Sequence, residues 1–270
     1  MPRSVVIYPE PGYCGAAFTE PAMNNWNLPN VAVYDRLKQE GYDVKVWPCE
    51  VDVQNDIGLA FDHPTYDCKI PDLAMCVNLE PPVIRPRFFL RLHGWPYKKI
   101  LTCCKPYADE RKVFWHPFPA VKYEGVLAKD RIGEPEGIQR VAITSGNKSA
   151  TLPKELYNHP EAMYERRRQI YLAYGKNIAL WGWGWHVDPE VMEKTTFCGP
   201  TENKVFTLSK YRIATVIENQ VISGFTSEKY WDAFQAGCQI DYTGSWPDYP
   251  LEDALPESWA KGIVGHVNNL

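Results

Sequence analysis

The stretch Ile217–Gly237, IENQVISGFTSEKYWDAFQAG, decides how the chain is read. An apolar run at 212–218, RIATVIE, ends in Glu218-Asn219, a turn centred on Gly224 follows, and Glu228-Lys229 then stand at the mouth of a helix over 227–236. A strand, a tight turn and a helix mouth form the usual place where an α/β protein holds a phosphate or a nucleotide. The helix N-terminus there offers free N–H groups and the positive end of its dipole.

Working outward, the same alternation recurs. Ser4–Tyr8, Asp43–Trp47, Asp72–Leu79 and Lys99–Cys103 have strand character, and Val31–Glu40 repeats apolar residues at helical spacing before Gly41. Residues 122–139 are polar and rich in Gly and Pro. Beyond them come strands at 140–144, 177–183, 212–218 and 238–242, with helices at 161–174 and 227–236. The pattern predicts an α/β chain with mostly parallel sheets, built as two facing Rossmann-like domains with an interdomain cleft. The expected boundaries are an N-terminal domain over 1–125, a linker over 126–139, a C-terminal domain over 140–250 and a C-terminal tail over 251–270.

Composition removes several function classes. The net charge is -4 and the basic residues are spread along the chain, so a nucleic-acid partner is not expected. No run approaches the ~20 apolar residues that cross a bilayer, and the opening MPRSVVIYPEPGYCG is not a secretory signal. A soluble, cytoplasmic protein without a transmembrane segment is expected. In that setting the eight cysteines, with no CxxC and with Cys103 and Cys104 adjacent, are expected to be free thiols, and the sequon Asn147-Lys148-Ser149 has no secretory context. No His/Cys spacing suits zinc. PEPGYCGAA follows the first strand in place of Gly-x-Gly-x-x-Gly, and there is no Walker loop, HExxH or Gly-x-Ser-x-Gly. Glu50-Val51-Asp52 is the one acidic pair placed after a strand as a divalent-metal site would want it.

The longer stretch Tyr211–Gly244, YRIATVIENQVISGFTSEKYWDAFQAGCQIDYTG, resembles the donor-site motif of the α1,3/α1,4-fucosyltransferases of glycosyltransferase family 10. Glu218-Asn219, Glu228-Lys229 and the closing Ala233-x-x-Ala236-Gly237 stand at matching distances. Asn78-Leu79-Glu80-Pro81-Pro82 is similar to the Glu-x-Pro segment that carries the family's proposed base. Arg166–Arg168 followed by Leu180-Trp181-Gly182 is similar to its arginine helix and Gly-ended strand. Ile217, Gln220, Phe225 and Thr226-Ser227 depart from the family pattern.

The resemblance implies a GT-B fold, an acceptor-binding first domain and a donor-binding second domain, in a bacterial- or viral-type member. The implied reaction is an inverting, metal-independent transfer of L-fucose from GDP-fucose to a glycan hydroxyl. Partners are then a nucleotide sugar and a glycan acceptor, and no cofactor is expected. The alternatives keep the fold with another GDP- or UDP-sugar, or make the chain a catalytically silent glycan- or nucleotide-binding protein. Without a metal, the leaving diphosphate must be met by cations and a helix N-terminus. Lys229 supplies one cation, and Arg167 or Arg168 a forked guanidinium. Asn219, Gly224, Phe225 and Glu228 complete the implied donor-binding set, Glu228 accepting from ribose or sugar hydroxyls. Glu80, held by the two prolines behind it, is the implied catalytic base, with Glu10 and Glu20 next in line. In the run Trp181–His186, WGWGWH, the indoles pack a strand end, or one of them lies against a sugar face or the donor.

Overall fold

A computed structural model describes residues 3–10, 16–21, 27–64, 66–123, 131–144 and 163–270. The chain divides into two compact units. The first comprises Met1–Val121, Ser223–Phe225 and Pro247–Leu270, and the second Lys122–Ile222 and Thr226–Trp246.

The first unit is built on β1 (Ser4–Tyr8), β2 (Asp43–Val46), β3 (Ile57–Phe61), β4 (Leu73–Asn78), β5 (Lys99–Thr102) and β6 (Val113–Trp115). They form one sheet in the order β2-β1-β3-β4-β5-β6, and every pairing is parallel. Alternate residues of one strand serve different cores, because successive side chains leave opposite faces. Val5 and Ile7 join Leu59, Met75 and Val77 against the helices α1 (Leu28–Gln39) and, at the end of the chain, Pro256–Asn268. Val6 and Tyr8 join Ala60, Ala74 and Cys76 against Phe88 and Tyr97. Such two-sided burial explains the nearly unbroken apolar strands. It also explains Gly58 inside β3, where a Cβ would stand 3.0 Å from both Ala74 Cβ and Pro71 Cδ.

Residues 251–270 are therefore not a separate tail. Trp259, Ala260, Ile263, Val264 and Val267 form a buried stripe at helical spacing in the first unit's core, and Trp259 Nε1 donates to Pro117 O at 2.9 Å.

The second unit has β7 (Arg140–Thr144), β8 (Ile178–Gly182), β9 (Thr196–Gly199), β10 (Ile213–Ile217) and β11 (Gln239–Thr243), in the order β11-β10-β7-β8-β9 and again all parallel. Four helices of this unit matter below: α2 (Tyr164–Tyr174), α3 (Pro189–Lys194), α4 (Lys204–Ser209) and α5 (Glu228–Gln235). The expected linker, where it is described at 131–139, belongs to this unit rather than standing between domains. Arg131 donates to Tyr211 O at 3.0 Å and to Ala236 O at 2.8 Å. Its remainder, 126–130, and the sequon lie outside the described residues, as does Cys14; every described cysteine is a free thiol. Among the described residues no helix is long and apolar enough to cross a membrane.

Each sheet has one place where successive strands step away in opposite directions: between β1 and β3, and between β7 and β10. The carboxyl ends of the strands at such a switch point are where open parallel sheets hold ligands.

Candidate active site

In the second unit the switch point lies at the end of β10. This strand is IATVI with its last four residues buried, and it delivers Glu218 to the sheet edge with no exposed surface. A bare carboxylate there would be costly. Here Ser227 N–H donates to Oε1 at 2.9 Å, Ser227 Oγ to Oε2 at 2.6 Å and Tyr242 OH to Oε1 at 3.3 Å. The Lys229 ammonium lies 3.8 Å from Oε2. Ser227 is also the N-cap of α5, its Oγ accepting from Lys229 N at 3.4 Å and from Lys229 Nζ at 3.0 Å. Glu218 thus ties the strand end to the helix mouth. Gly244 leaves room for this, since a Cβ there would fall 2.8 Å from Glu218 Cγ and 2.4 Å from Tyr242 OH.

One turn of α5 gathers charge. Glu228 Oε1 is 3.5 Å from Lys229 Nζ and 3.7 Å from Lys204 Nζ on α4. Burial acts to raise the Glu228 pKa, but the ammonium groups of Lys229 and Lys204 outweigh it and bring it down to about 2. Asp232, four residues on and 4% exposed, goes the other way. Burial lifts it to about 7, the Glu228 charge adding to the rise while Lys204 and Lys229 oppose it. Lys204, Glu228, Lys229 and Asp232 line one cavity with Ile143, Leu208, Thr215 and Val216.

The structure distributes the expected donor-binding residues unequally. Asn219, Glu228 and Lys229 stand together at this edge. Arg167 is 2% exposed and turned inward, donating to Ile217 O at 2.9 Å and to Asn219 Oδ1 at 3.1 Å, so it braces the end of β10. Arg168 is committed elsewhere, to Asp188 and Glu190, each at 2.6 Å. Gly224 and Phe225 belong to the first unit and pack there. Gly224 has φ +81, and a Cβ on it would stand 2.6 Å from Trp115 Nε1. Phe225 is 1% exposed and edge-on to Phe118 at 5.8 Å, which leaves no face for a ligand. Spacing did not point to Lys204, which lies outside the motif and is joined to α5 only by the fold, or to Asp232, which lies inside the quoted stretch but at none of its matched positions.

In the first unit a second cluster occupies the switch point between β1 and β3. Arg85 donates to Asp62 Oδ2 at 2.9 Å and to Glu10 Oε1 at 2.7 Å, and Asn78 Nδ2 donates to Asp62 Oδ1 at 2.7 Å. Asp62 has φ 58, a left-handed conformation that Asp tolerates and that recurs where backbone is held for a ligand. Glu80, half-buried just past β4, belongs to this group. Burial lowers the Arg85 pKa, but the charges of Asp62, Glu10 and Glu80 hold it above its ordinary value. The turn behind Glu80 is closed by Ile84 N and Arg85 N donating to Pro81 O at 2.9 and 3.1 Å. Glu20 is exposed at the end of the short helix Ala16–Thr19.

Asp52, considered above as a metal ligand, is taken up by its own turn, accepting from Gln54 N, Asn55 N and Asn55 Nδ2. Among the described residues no group of three or more His, Cys, Asp or Glu is placed to hold a metal ion.

No protein-family model and no curated protein matches the sequence. Among solved structures, an α1,3-fucosyltransferase with GDP is similar at 14% identity and a TM-score of 0.52, over 99% of this chain and 80% of the other. An α-glucosyltransferase in complex with UDP is similar at 9% identity and 0.46, over 88% and 79%. A glycosyltransferase from Rickettsia africae ESF-5 is similar at 10% and 0.45, over 98% and 88%. The first likeness carries the fold: the chain has the two-domain, Rossmann-like GT-B architecture.

Proposed function

We propose that the chain is an inverting glycosyltransferase of the family-10 type, moving L-fucose from GDP-fucose to a glycan hydroxyl. One observation carries the reading: a Ser-capped helix mouth, with Lys229 in its first turn, tied by the buried Glu218 to the carboxyl end of β10 at the switch point. That edge supplies N–H groups, a dipole and an ammonium to a departing diphosphate. The structurally similar fucosyltransferase was solved with GDP, which favours GDP as the nucleotide.

In this reading the acceptor oxygen attacks the anomeric carbon of the donor while Glu80 removes its proton. The bond from that carbon to the diphosphate breaks, and GDP leaves with the negative charge. Lys229 meets that charge, with Lys204 adding to the field. Glu228, kept ionised by the same two lysines, accepts hydrogen bonds from ribose or sugar hydroxyls. The protein's own cations do what a metal would otherwise do.

GDP-fucose consumption and transfer to a panel of oligosaccharides test the reading. Lys229→Ala is expected to weaken GDP binding about tenfold or more, since it removes a charge-assisted contact. Glu80→Ala is expected to keep GDP binding and to lose at least about 100-fold in turnover. Normal turnover by Glu80→Ala would move the base elsewhere in its cluster, with Glu10 the nearest alternative. Binding of UDP without GDP would replace the donor.

A further inference from the structure

Trp181, Trp183 and Trp185 alternate with Gly182 and Gly184 at the end of β8, and the structure gives the three indoles different surroundings. Trp185 is 1% exposed and edge-on to Tyr171 of α2 at 5.4 Å. Trp181 donates through Nε1 to Tyr211 OH at 3.0 Å. Trp183 is 66% exposed. It sits between glycines with φ 136 and φ 79, conformations in the region that favours glycine and that fix the direction of the turn.

The loop around Trp183 is firmly anchored. Behind it, Asp188 caps α3 by accepting from Val191 N at 3.2 Å, and Arg168 of α2 clamps Asp188 and Glu190. Arg168 therefore has a task, though not the one expected of it: it holds this loop against α2. A large aromatic face is left in solvent on a backbone pinned from both sides, which is how a rigid stacking platform is made.

Its position suggests what stacks on it. Gly182 pairs with Thr144 of β7, and β10 pairs with β7 at Ile213↔Arg140 and Ala214↔Val141. Counted along the strands, that register puts Gly182, the last residue of β8, level with Ile217, the last of β10, with β7 between them, so Trp183 and Glu218 follow the ends of two strands at the same edge of the sheet. Two strand spacings separate those strand ends, about 10 Å, the scale of a nucleotide laid from its base to its diphosphate.

We infer that Trp183 is the platform on which the purine base of the donor nucleotide stacks, and that Arg168 is the positioning residue that holds the platform in place. The inference rests on the reading above that the edge beside Lys229 takes the diphosphate. A purine is the occupant because the bicyclic indole face matches a bicyclic base better than a pyrimidine.

Calorimetric titration of the full chain with GDP, UDP and pyrophosphate, before and after substitution, tests this. Trp183→Ala is expected to weaken GDP binding on the order of tenfold, the usual worth of a base–aromatic stack, to weaken UDP less, and to leave pyrophosphate unchanged. Trp183→Phe should recover much of the loss. Arg168→Met should weaken GDP and leave pyrophosphate unchanged. The inference is overturned if Trp183→Ala binds GDP as the parent chain does, or if it loses pyrophosphate to the same degree. A parent chain that binds pyrophosphate and no nucleotide overturns it while leaving a diphosphate site. A parent chain that binds none of the three overturns it together with the donor-site reading.

Discussion

Glu218→Ala is expected to cost about 3–5 kcal/mol of stability, the range for removing one partner from a buried ion pair. The substitution strands Ser227 N–H, Ser227 Oγ and part of the Lys229 charge in a place where the carboxylate itself has no exposed surface. A loss of that size is a large share of the roughly 5–15 kcal/mol that holds an ordinary domain folded. Urea unfolding should show it as a much lower midpoint. Glu218→Gln keeps the shape and one acceptor for Ser227 N–H, so it should lose less. An unfolding midpoint for Glu218→Ala equal to that of the parent chain would mean that the carboxylate does not hold the helix mouth.

The second large effect depends on pH. Asp232 has its pKa lifted from the ordinary 3.8 to about 7, chiefly by burial. Its folded state therefore binds a proton more tightly than its unfolded state. Below about pH 4 both states are protonated and Asp232 contributes nothing. As pH rises from about 4 to about 7, the unfolded chain releases the proton easily and the folded chain does not, so stability falls, and above 7 the loss is complete. At about 1.4 kcal/mol per unit the full loss is on the order of 4 kcal/mol. Asp232→Asn removes it. Thermal unfolding at pH 5, 6, 7 and 8 should show the variant gaining on the parent chain from pH 5 to 7 and the difference levelling off by pH 8. A difference that stays constant across those pH values would contradict the assignment.

The parallel α/β plan was legible because most strands are apolar and bounded by Gly or polar turns, as Ser4–Tyr8 and Arg212–Glu218 are. β3 and β6 were not. IGLAF at 57–61 carries a glycine that close approach to Ala74 and Pro71 demands, and VFW at 113–115 is three residues long. The stripe from Trp259 to Val267 had helical spacing in plain view, but which unit it served depended on a core built from residues more than 150 positions earlier.

The site was legible in part for a similar reason. Glu218, Asn219, Glu228 and Lys229 are close in sequence and close in space. Gly224 and Phe225 lie between them in sequence, yet the chain leaves the second unit there to pack on Trp115 and Phe118. Adjacent helical residues point about 100° apart, which sends Arg167 to Ile217 O and Arg168 to Asp188. Those partners lie 50 and 20 residues away, beyond the reach of local pattern.

The most direct measurement is a calorimetric titration of the whole chain with GDP, run in EDTA and repeated with manganese. Saturable one-site binding with the same affinity in both is the predicted result, since Lys229, Lys204 and the helix mouth supply the positive charge. No binding in either condition, or binding only with manganese, would contradict a donor site built from the protein's own cations.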